Sequence, residues 1–411
     1  MRSESSLNAP PLAGVPPPKR LMGLLGFVQF AHLLDFMLML PLAPLLMGAW
    51  GLQTRQYGVL LAAYGVAAAV SGVVATTYVH RFERKRLLLA LLAVLALAQL
   101  VCASANSYAV LLVGRIAAGA CAALVGALLQ TLVGDLFAPQ QRGRAVGVLL
   151  SGTSAATVLG VPLVLVLINY GDWRHAFAFT AGLSVLSIVL LQVAMPMVRV
   201  DKQRAGAAGY AVLVHLLRNG AYRRVLAFMG LGAFATFVVI PYMPLYLTSN
   251  LQWPTEQLAL VYVLGGAMAF ATAQLAGRMA DRWNKVHLYR TVALVSMVPI
   301  VLQTHLPASA WWVVLAVSTL FFSFAPSRAV PAMAIAVSAV APPDRGAFMA
   351  LNAAVQQLAC GVAAYVGAQL VHMQAGVGLQ GYSTAGWVAI AVTLSTAWMA
   401  GRIPLPSSTK A

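Results

Sequence analysis

Long apolar runs alternate with short polar breaks along the whole chain. The runs cover 22–47, 56–79, 87–106, 108–136, 145–169, 174–197, 222–249, 257–280, 287–305, 309–337, 346–372 and 380–401. Each is close to the ~20 residues that a helix needs to cross a bilayer. Backbone polar groups meet no water in the hydrocarbon core, so segments of this length there must be helical. A β-barrel would show short segments of strict alternation, and the sequence lacks them. The pattern predicts an all-α membrane protein with twelve transmembrane helices.

Composition sharpens this reading. Of 411 residues, 61% are hydrophobic and only 9% are charged, against roughly 25% charged in a soluble domain. A soluble enzyme, a nucleic-acid-binding domain and a disordered chain are excluded. Cys102, Cys121 and Cys360 lie singly in apolar runs, which suits packing and neither a disulfide framework nor a metal site.

The net charge of +17 records topology. With the N-terminus inside, the polar segments at 2–20, 81–86, 142–144, 199–224, 278–285, 345 and 402–410 are cytoplasmic. They hold 21 of the 26 Lys and Arg residues, and only Arg55 and Arg174 fall on the other side. This is a strong positive-inside bias, and it places both termini in the cytoplasm of a cell whose inner membrane holds the protein. Trp50, Trp173, Trp253, Trp311 and Trp312 fall near the outer helix ends, where an aromatic belt would sit.

The long basic segment 198–221 divides six runs from six. The expected layout is a disordered tail at 1–20, a six-helix bundle at 21–197, a cytoplasmic linker at 198–221 with an amphipathic stretch near Val212–Leu217, a second bundle at 222–401 and a tail at 402–411. The halves repeat at a nearly fixed offset. Arg144 aligns with Arg345 and Gly160 with Gly361 at 201 positions, and Pro41 and Pro44 align with Pro241 and Pro244 at 200. Duplicated six-helix halves are a common build of secondary transporters, which hold substrate between the halves near the midplane.

Ionisable residues inside spans are functional candidates by default. Asp35 is the only acidic residue deep in a span. It lies about fourteen residues into the first helix, roughly 20 Å at 1.5 Å per residue. Arg115, in the fourth helix, lies roughly 10 Å from the opposite end. In a bilayer ~30 Å thick these depths nearly match, so the two are expected to pair, either as a proton-coupling site or as a static tie. His32 shares a helix face with Asp35 at i, i+3. It is either a second proton carrier or an interior hydrogen-bonded histidine. Arg328, between Pro326 and Pro331, either attracts an anionic group or snorkels to the interface; the second reading is preferred.

The chain resembles the major facilitator superfamily over nearly all of 22–401. Gly277-Arg278-Met279-Ala280-Asp281-Arg282-Trp283-Asn284-Lys285 is similar to the family's loop signature G-x-L-a-D-R-x-G-R-K/R. The first-half copy is degraded: His80 stands at the Asp position and Glu83 at the second Gly, while Arg81, Arg84 and Lys85 remain. The resemblance implies a conformational latch formed by His80, Arg81, Arg84 and Asp135 in one half, and by Gly277, Asp281, Arg282 and Lys285 in the other. Its Asp would cap a helix N-terminus, where the dipole favours an anion.

Arg115 to Gly119 looks like the family's R-x-x-x-G, implicated in proton coupling. Gly152, Gly160 and Pro162 resemble the Gly/Pro-rich motif of family exporters, with Leu165 at its final glycine position; close packing and bending where the halves meet would be its purpose. Trp173-Arg174 and Phe177 resemble W-R-x-x-F of the same exporters. Arg345-Gly346, Asn352, Gln356 and Gln357 resemble an exporter-like, drug or sugar efflux branch. Asn352 and Gln356 are candidates for the substrate cavity or for helix packing, with Gln130, Tyr242, Tyr246 and Gln274 as weaker cavity candidates.

No Walker GxxxxGK[S/T], HExxH or GxSxG is present, so neither ATP-driven pumping nor hydrolysis is expected. The expectation is a secondary active transporter that exports small organic molecules by alternating access. The proton gradient drives it with no cofactor; its partners are the substrate, protons and the lipid bilayer, with no nucleic acid, and the protein acts as a monomer. The alternative is an importer or uniporter of sugars or metabolites on the same fold. A membrane enzyme or non-transporting sensor would need a soluble domain or polar residues clustered at one leaflet, and neither is visible.

Overall fold

The computed structural model describes residues 18–78, 82–137, 139–169, 171–195 and 209–404. Twelve helices are long and apolar enough to cross a membrane: Lys19–Trp50, Thr54–Val74, Arg84–Ala103, Tyr108–Leu136, Gln141–Ile168, Arg174–Ala194, Gly220–Ser249, Thr255–Ala280, Lys285–His305, Trp311–Ala339, Pro342–Leu370 and Tyr382–Ala400. They are called here the first to twelfth spans. Each falls on one of the twelve apolar runs. An even number of crossings puts residues 18 and 404 at the same end of the bundle, the terminus end; the other is the far end.

Boundaries shift where local chemistry outweighs hydropathy. The first helix starts at Pro18, inside the expected tail, because proline suits a first helical turn that has no use for its missing N–H. The seventh starts at Gly220, where Asn219 accepts hydrogen bonds from the Ala221 and Tyr222 amides, a side-chain cap hydropathy does not weigh. Within the linker, Gly209–Arg218 is helical, and Val212, Leu213 and Leu216 pack on the second half. Between the last two spans, His372–Gln374 pairs antiparallel with Gly378–Gln380. Gly376 and Gly378 both have positive φ there, which glycine adopts without strain. This hairpin was not expected from the apolar runs.

Proline breaks several spans within the membrane. The first is helical to Met37 and again from Met39. Pro41 has no N–H for the Met37 carbonyl four residues back. Pro241 does the same for Phe237, where the seventh span turns into a 3-10 segment at Ile240–Tyr242 before continuing at Met243. The tenth span is Trp311–Phe324 and Ala329–Ala339, with a turn between them. The fifth holds a π-helical stretch at Ala156–Gly160, just before Pro162; such bulges accommodate a lost ladder bond.

The apolar core is divided unequally. At the far end a single cluster joins both halves, with Leu38, Leu42 and Leu46 of the first span beside Ile240, Met243 and Leu247 of the seventh. At the terminus end there are two clusters. One holds Leu88, Leu92, Leu128 and Leu149 of the first half; the other holds Tyr222, Phe228, Tyr289 and Phe348 of the second. The halves also meet along the second and eleventh spans. There a Cβ on Gly65 would lie 2.7 Å from the Gln357 carbonyl and 2.8 Å from the Gly361 Cα, so the two backbones touch through glycine.

Candidate functional site

Asp35 lies just before the break in the first span and is completely buried (0%), as is Arg115 (1%). Arg115 Nη1 donates to Asp35 Oδ1 at 3.2 Å and to the Asp35 carbonyl at 3.3 Å. Its guanidinium stands 4.3 Å over the Tyr64 ring centre and 6.0 Å from that of Phe177. A cation gains from an aromatic face, most where water is excluded. Gln99 and the Tyr64 hydroxyl are the other polar groups facing the carboxylate. Gln99 is held in turn by the Ser184 hydroxyl at 2.8 Å.

The glycine of R-x-x-x-G has a visible purpose. A side chain on Gly119 would collide with the Tyr64 carbonyl, so glycine lets the fourth span lie against the second beneath the guanidinium.

His32 is buried beside this pair. Its Nε2 is 3.2 Å from Gln29 Oε1, and Gln29 Nε2 donates to Thr153 Oγ1 of the fifth span at 3.3 Å. A polar chain thus leads from His32 across to the fifth span.

The second half carries a counterpart. Thr236 lies 201 positions after Asp35, at the end of the helix before the seventh-span break. Arg328 lies in the turn of the tenth span, the repeat counterpart of the fourth. Its Nη2 donates to Thr236 Oγ1 at 2.9 Å, its Nε to the Ala325 carbonyl at 2.9 Å and its Nη1 to Thr393 Oγ1. At 4% exposure Arg328 is buried among helices and does not snorkel, which corrects the expectation. The hydroxyls that hold it are on neighbouring spans, information that hydropathy along a single run does not carry.

The latch residues divide. His80 and Arg81 lie outside the described residues, as does the side chain of Asp281. Arg84 Nε lies 3.4 Å from Asp135 Oδ2, and Lys85 reaches the Met195 and Gln192 carbonyls at the end of the sixth span. In the second half Lys285, 201 positions after Arg84, donates to Ser338 Oγ at 2.6 Å. Arg282 is exposed, and a Cβ on Gly277 would meet nothing within 4 Å.

The glycines of the fifth span pack differently from expectation. Gly152 lies against Gly26 and Gln29, and Gly160 against Leu34 and Phe30, all on the first span. They tighten the first half internally. The fifth span meets the second half at Val158, where a Cβ on Gly266 would lie 3.0 Å from Val158 Cγ2. Pro162 follows that contact and ends the π-helical stretch.

Between the halves is a cavity of about 10 Å³, lined by Phe36, Leu40, Leu61, Phe237, Pro241, Cys360, Gly361 and Ala364. None of the six cavity candidates lines it. Tyr242 is buried and donates to the Ala364 carbonyl, so it ties the seventh span to the eleventh. Tyr246 donates to the Leu306 carbonyl at 2.7 Å. Asn352 is buried at 1% beside the second-half core. Gln356 is half-buried, and Gln130 and Gln274 are exposed. The lining residues are apolar side chains within apolar spans, so nothing in the sequence set them apart. Two of the five belt tryptophans, Trp173 and Trp253, are buried. Trp173 packs edge-on against Trp50 at 5.1 Å and so contributes to packing rather than to the membrane interface.

Twelve spans in two repeated halves, with a buried ion pair inside the first half, define a two-halved membrane protein. The chain belongs to the Major Facilitator Superfamily, whose family model matches residues 25–302 and 225–410. It is 29% identical over 251 residues to a chloramphenicol resistance protein of Streptomyces lividans. The match covers 60% of this chain and 63% of that relative. Among solved structures, it is similar to a bacterial homologue of the human lysosomal transporter Spinster in an inward-facing, occupied conformation. The TM-score is 0.76 at 12% identity, over 95% of this chain and 99% of that one. It is also similar to a D-xylose–proton symporter, with a TM-score of 0.72 at 19% identity, over 95% and 98% of the two chains. At these identities the likeness to the solved structures is one of fold.

Proposed function

We propose that this protein is a transporter that exports small organic molecules in exchange for protons, and that Asp35 carries the proton. The observation behind this reading is the buried Asp35–Arg115 pair. Taking two opposite charges out of water is costly, and each is tolerable only while the other is there. Protonating Asp35 removes its charge and frees Arg115 to settle on the Tyr64 face and on neutral oxygens. The site therefore has two states, and alternation of the halves can be tied to which one is occupied. Moving a proton's charge across the membrane yields ~2.3 kcal/mol per 100 mV, enough to concentrate a substrate. Gln29 links His32, one helical turn from Asp35, to Thr153 of the fifth span.

The shared core at the far end and the divided core at the terminus end suit a carrier sealed on the far side. The basic segments at the terminus end favour a cytoplasmic location for it, in the inner membrane. The name of the Streptomyces lividans relative supports export and makes chloramphenicol the first compound to try. The symporter's fold supports the second reading, proton-coupled import.

Purified protein in liposomes with an imposed pH gradient separates the two. Antiport moves chloramphenicol toward the acidic side and symport toward the alkaline side, whichever way the protein is inserted. Asp35→Asn is expected to abolish the accumulation while leaving folding and insertion intact. Undiminished gradient-driven accumulation by that variant would remove Asp35 from the mechanism.

A further inference from the structure

Arg328 is a cation buried within a membrane span, with no ion pair among the described residues. All three of its bonded partners, Ala325 O, Thr393 Oγ1 and Thr236 Oγ1, are neutral oxygens. Both hydroxyls already donate to carbonyls of their own helices, Thr236 to Gly232 at 3.2 Å and Thr393 to Ala389 at 2.7 Å. The second bundle holds three acidic residues, Glu256, Asp281 and Asp344, of which Asp344 is engaged by Tyr222 and His215. Among the described side chains none forms an ion pair with Arg328. Charges inside the membrane are expensive and are normally paired.

A guanidinium offers five N–H donors; the three bonds leave one donor on each terminal nitrogen for a further acceptor. The tenth span breaks here, and the helix Ala329–Ala339 begins at the next residue, adding the positive end of its dipole. Broken helices near the midplane are where carriers of this architecture place substrate groups. Thr236 is half-buried, and its neighbour Phe237 lines the cavity between the halves with Phe36 and Gly361. At the repeat position of Asp35 the second half has Thr236, and Arg328 reaches it from a different turn of its helix than Arg115, whose repeat equivalent is Ala316.

We infer that Arg328 is a docking charge for the carboxylate of a transported organic anion, which supplies its counter-charge. The inference rests on the transporter reading, but its test reads binding and not transport.

The full-length protein in detergent is heated with acetate, benzoate or salicylate, with the matching neutral amide of each, and with chloride at equal ionic strength. At least one carboxylate is expected to raise the unfolding temperature by several degrees while its amide does not. Arg328→Gln should lose that shift. Thr236→Asp should lose it too, because a carboxylate built into the chain then occupies the guanidinium; this variant serves as well if Arg328→Gln does not fold. Thr236→Asn should keep it, and so should Asp35→Asn, which separates this site from proton coupling. The inference is overturned if no carboxylate outperforms its amide, or if the shift survives Thr236→Asp. Equal protection by chloride alone would assign the site to an inorganic ion and overturn it as well.

Discussion

The two halves place an arginine of their fourth helix against the same position of their first, but the groups that receive it differ. In the first half Arg115 meets the Asp35 carboxylate at 3.2 Å. In the second Arg328 meets the Thr236 hydroxyl at 2.9 Å. A carboxylate can gain and lose a proton, whereas a threonine hydroxyl cannot. The repeat equivalents of Arg115 and Arg328 are Ala316 and Ala127, so the halves reach the same position of their first helix with arginines from different turns of the fourth, and only the first half meets them with a carboxylate. In the reading proposed here, the first half handles the proton and the second half handles the substrate's charge.

The largest effect expected falls on Asp35. Asp35→Asn should remove the accumulation driven by the gradient, worth about fifty-fold per 100 mV for a single charge. Thr236→Val should leave that accumulation of a neutral substrate nearly intact. Transport assays in liposomes check both, and equal losses in the two variants would break the comparison.

Next comes stability. Arg115→Ala strands a buried carboxylate and should cost about 3–5 kcal/mol, recovered in part by adding Asp35→Asn. Arg328→Ala strands only neutral oxygens and should cost about 1–3 kcal/mol. Chemical unfolding in detergent reads the difference, and a larger loss for Arg328→Ala would invert the picture.

The seam between halves comes third. Gly160 and its repeat partner Gly361 have parted roles: the first packs on Leu34 within its own half, and the second packs across the seam on Gly65 and Ala62. Gly65→Ala forces its Cβ to within 2.7 Å of the Gln357 carbonyl and should lower stability by about 1–3 kcal/mol, seen as a lower unfolding temperature. The smallest effect belongs to the latches. The Asp135 side chain is 40% exposed in its pair with Arg84. Asp135→Asn should therefore change stability by about 1 kcal/mol or less, by the same unfolding measurement.

Much of this was legible from sequence because membrane helices announce themselves. Twelve runs gave twelve spans, and the offset of 201 carried the duplication. Asp35 and Arg115 could be matched by depth alone, since a helix rises by a fixed amount per residue. The Asp35–Thr236 correspondence lies in the same offset, but a threonine within an apolar run carries no signal of its own. The cavity lining was not legible: Phe36 and Phe237 look like any other apolar residues until the helices are placed. Nor were the buried states of Arg328, Trp173 and Trp253, which depend on neighbouring spans rather than on their own.

The switchable state of Asp35 can be observed without knowing the substrate. Infrared difference spectra of the purified protein, recorded as pH is lowered through the physiological range, report the carbonyl stretch of a newly protonated carboxylic acid. Wild-type protein is expected to show such a band and Asp35→Asn to lack it, with Arg115→Gln bringing the band in at higher pH. Identical difference spectra for wild type and Asp35→Asn would contradict the assignment of the proton to Asp35.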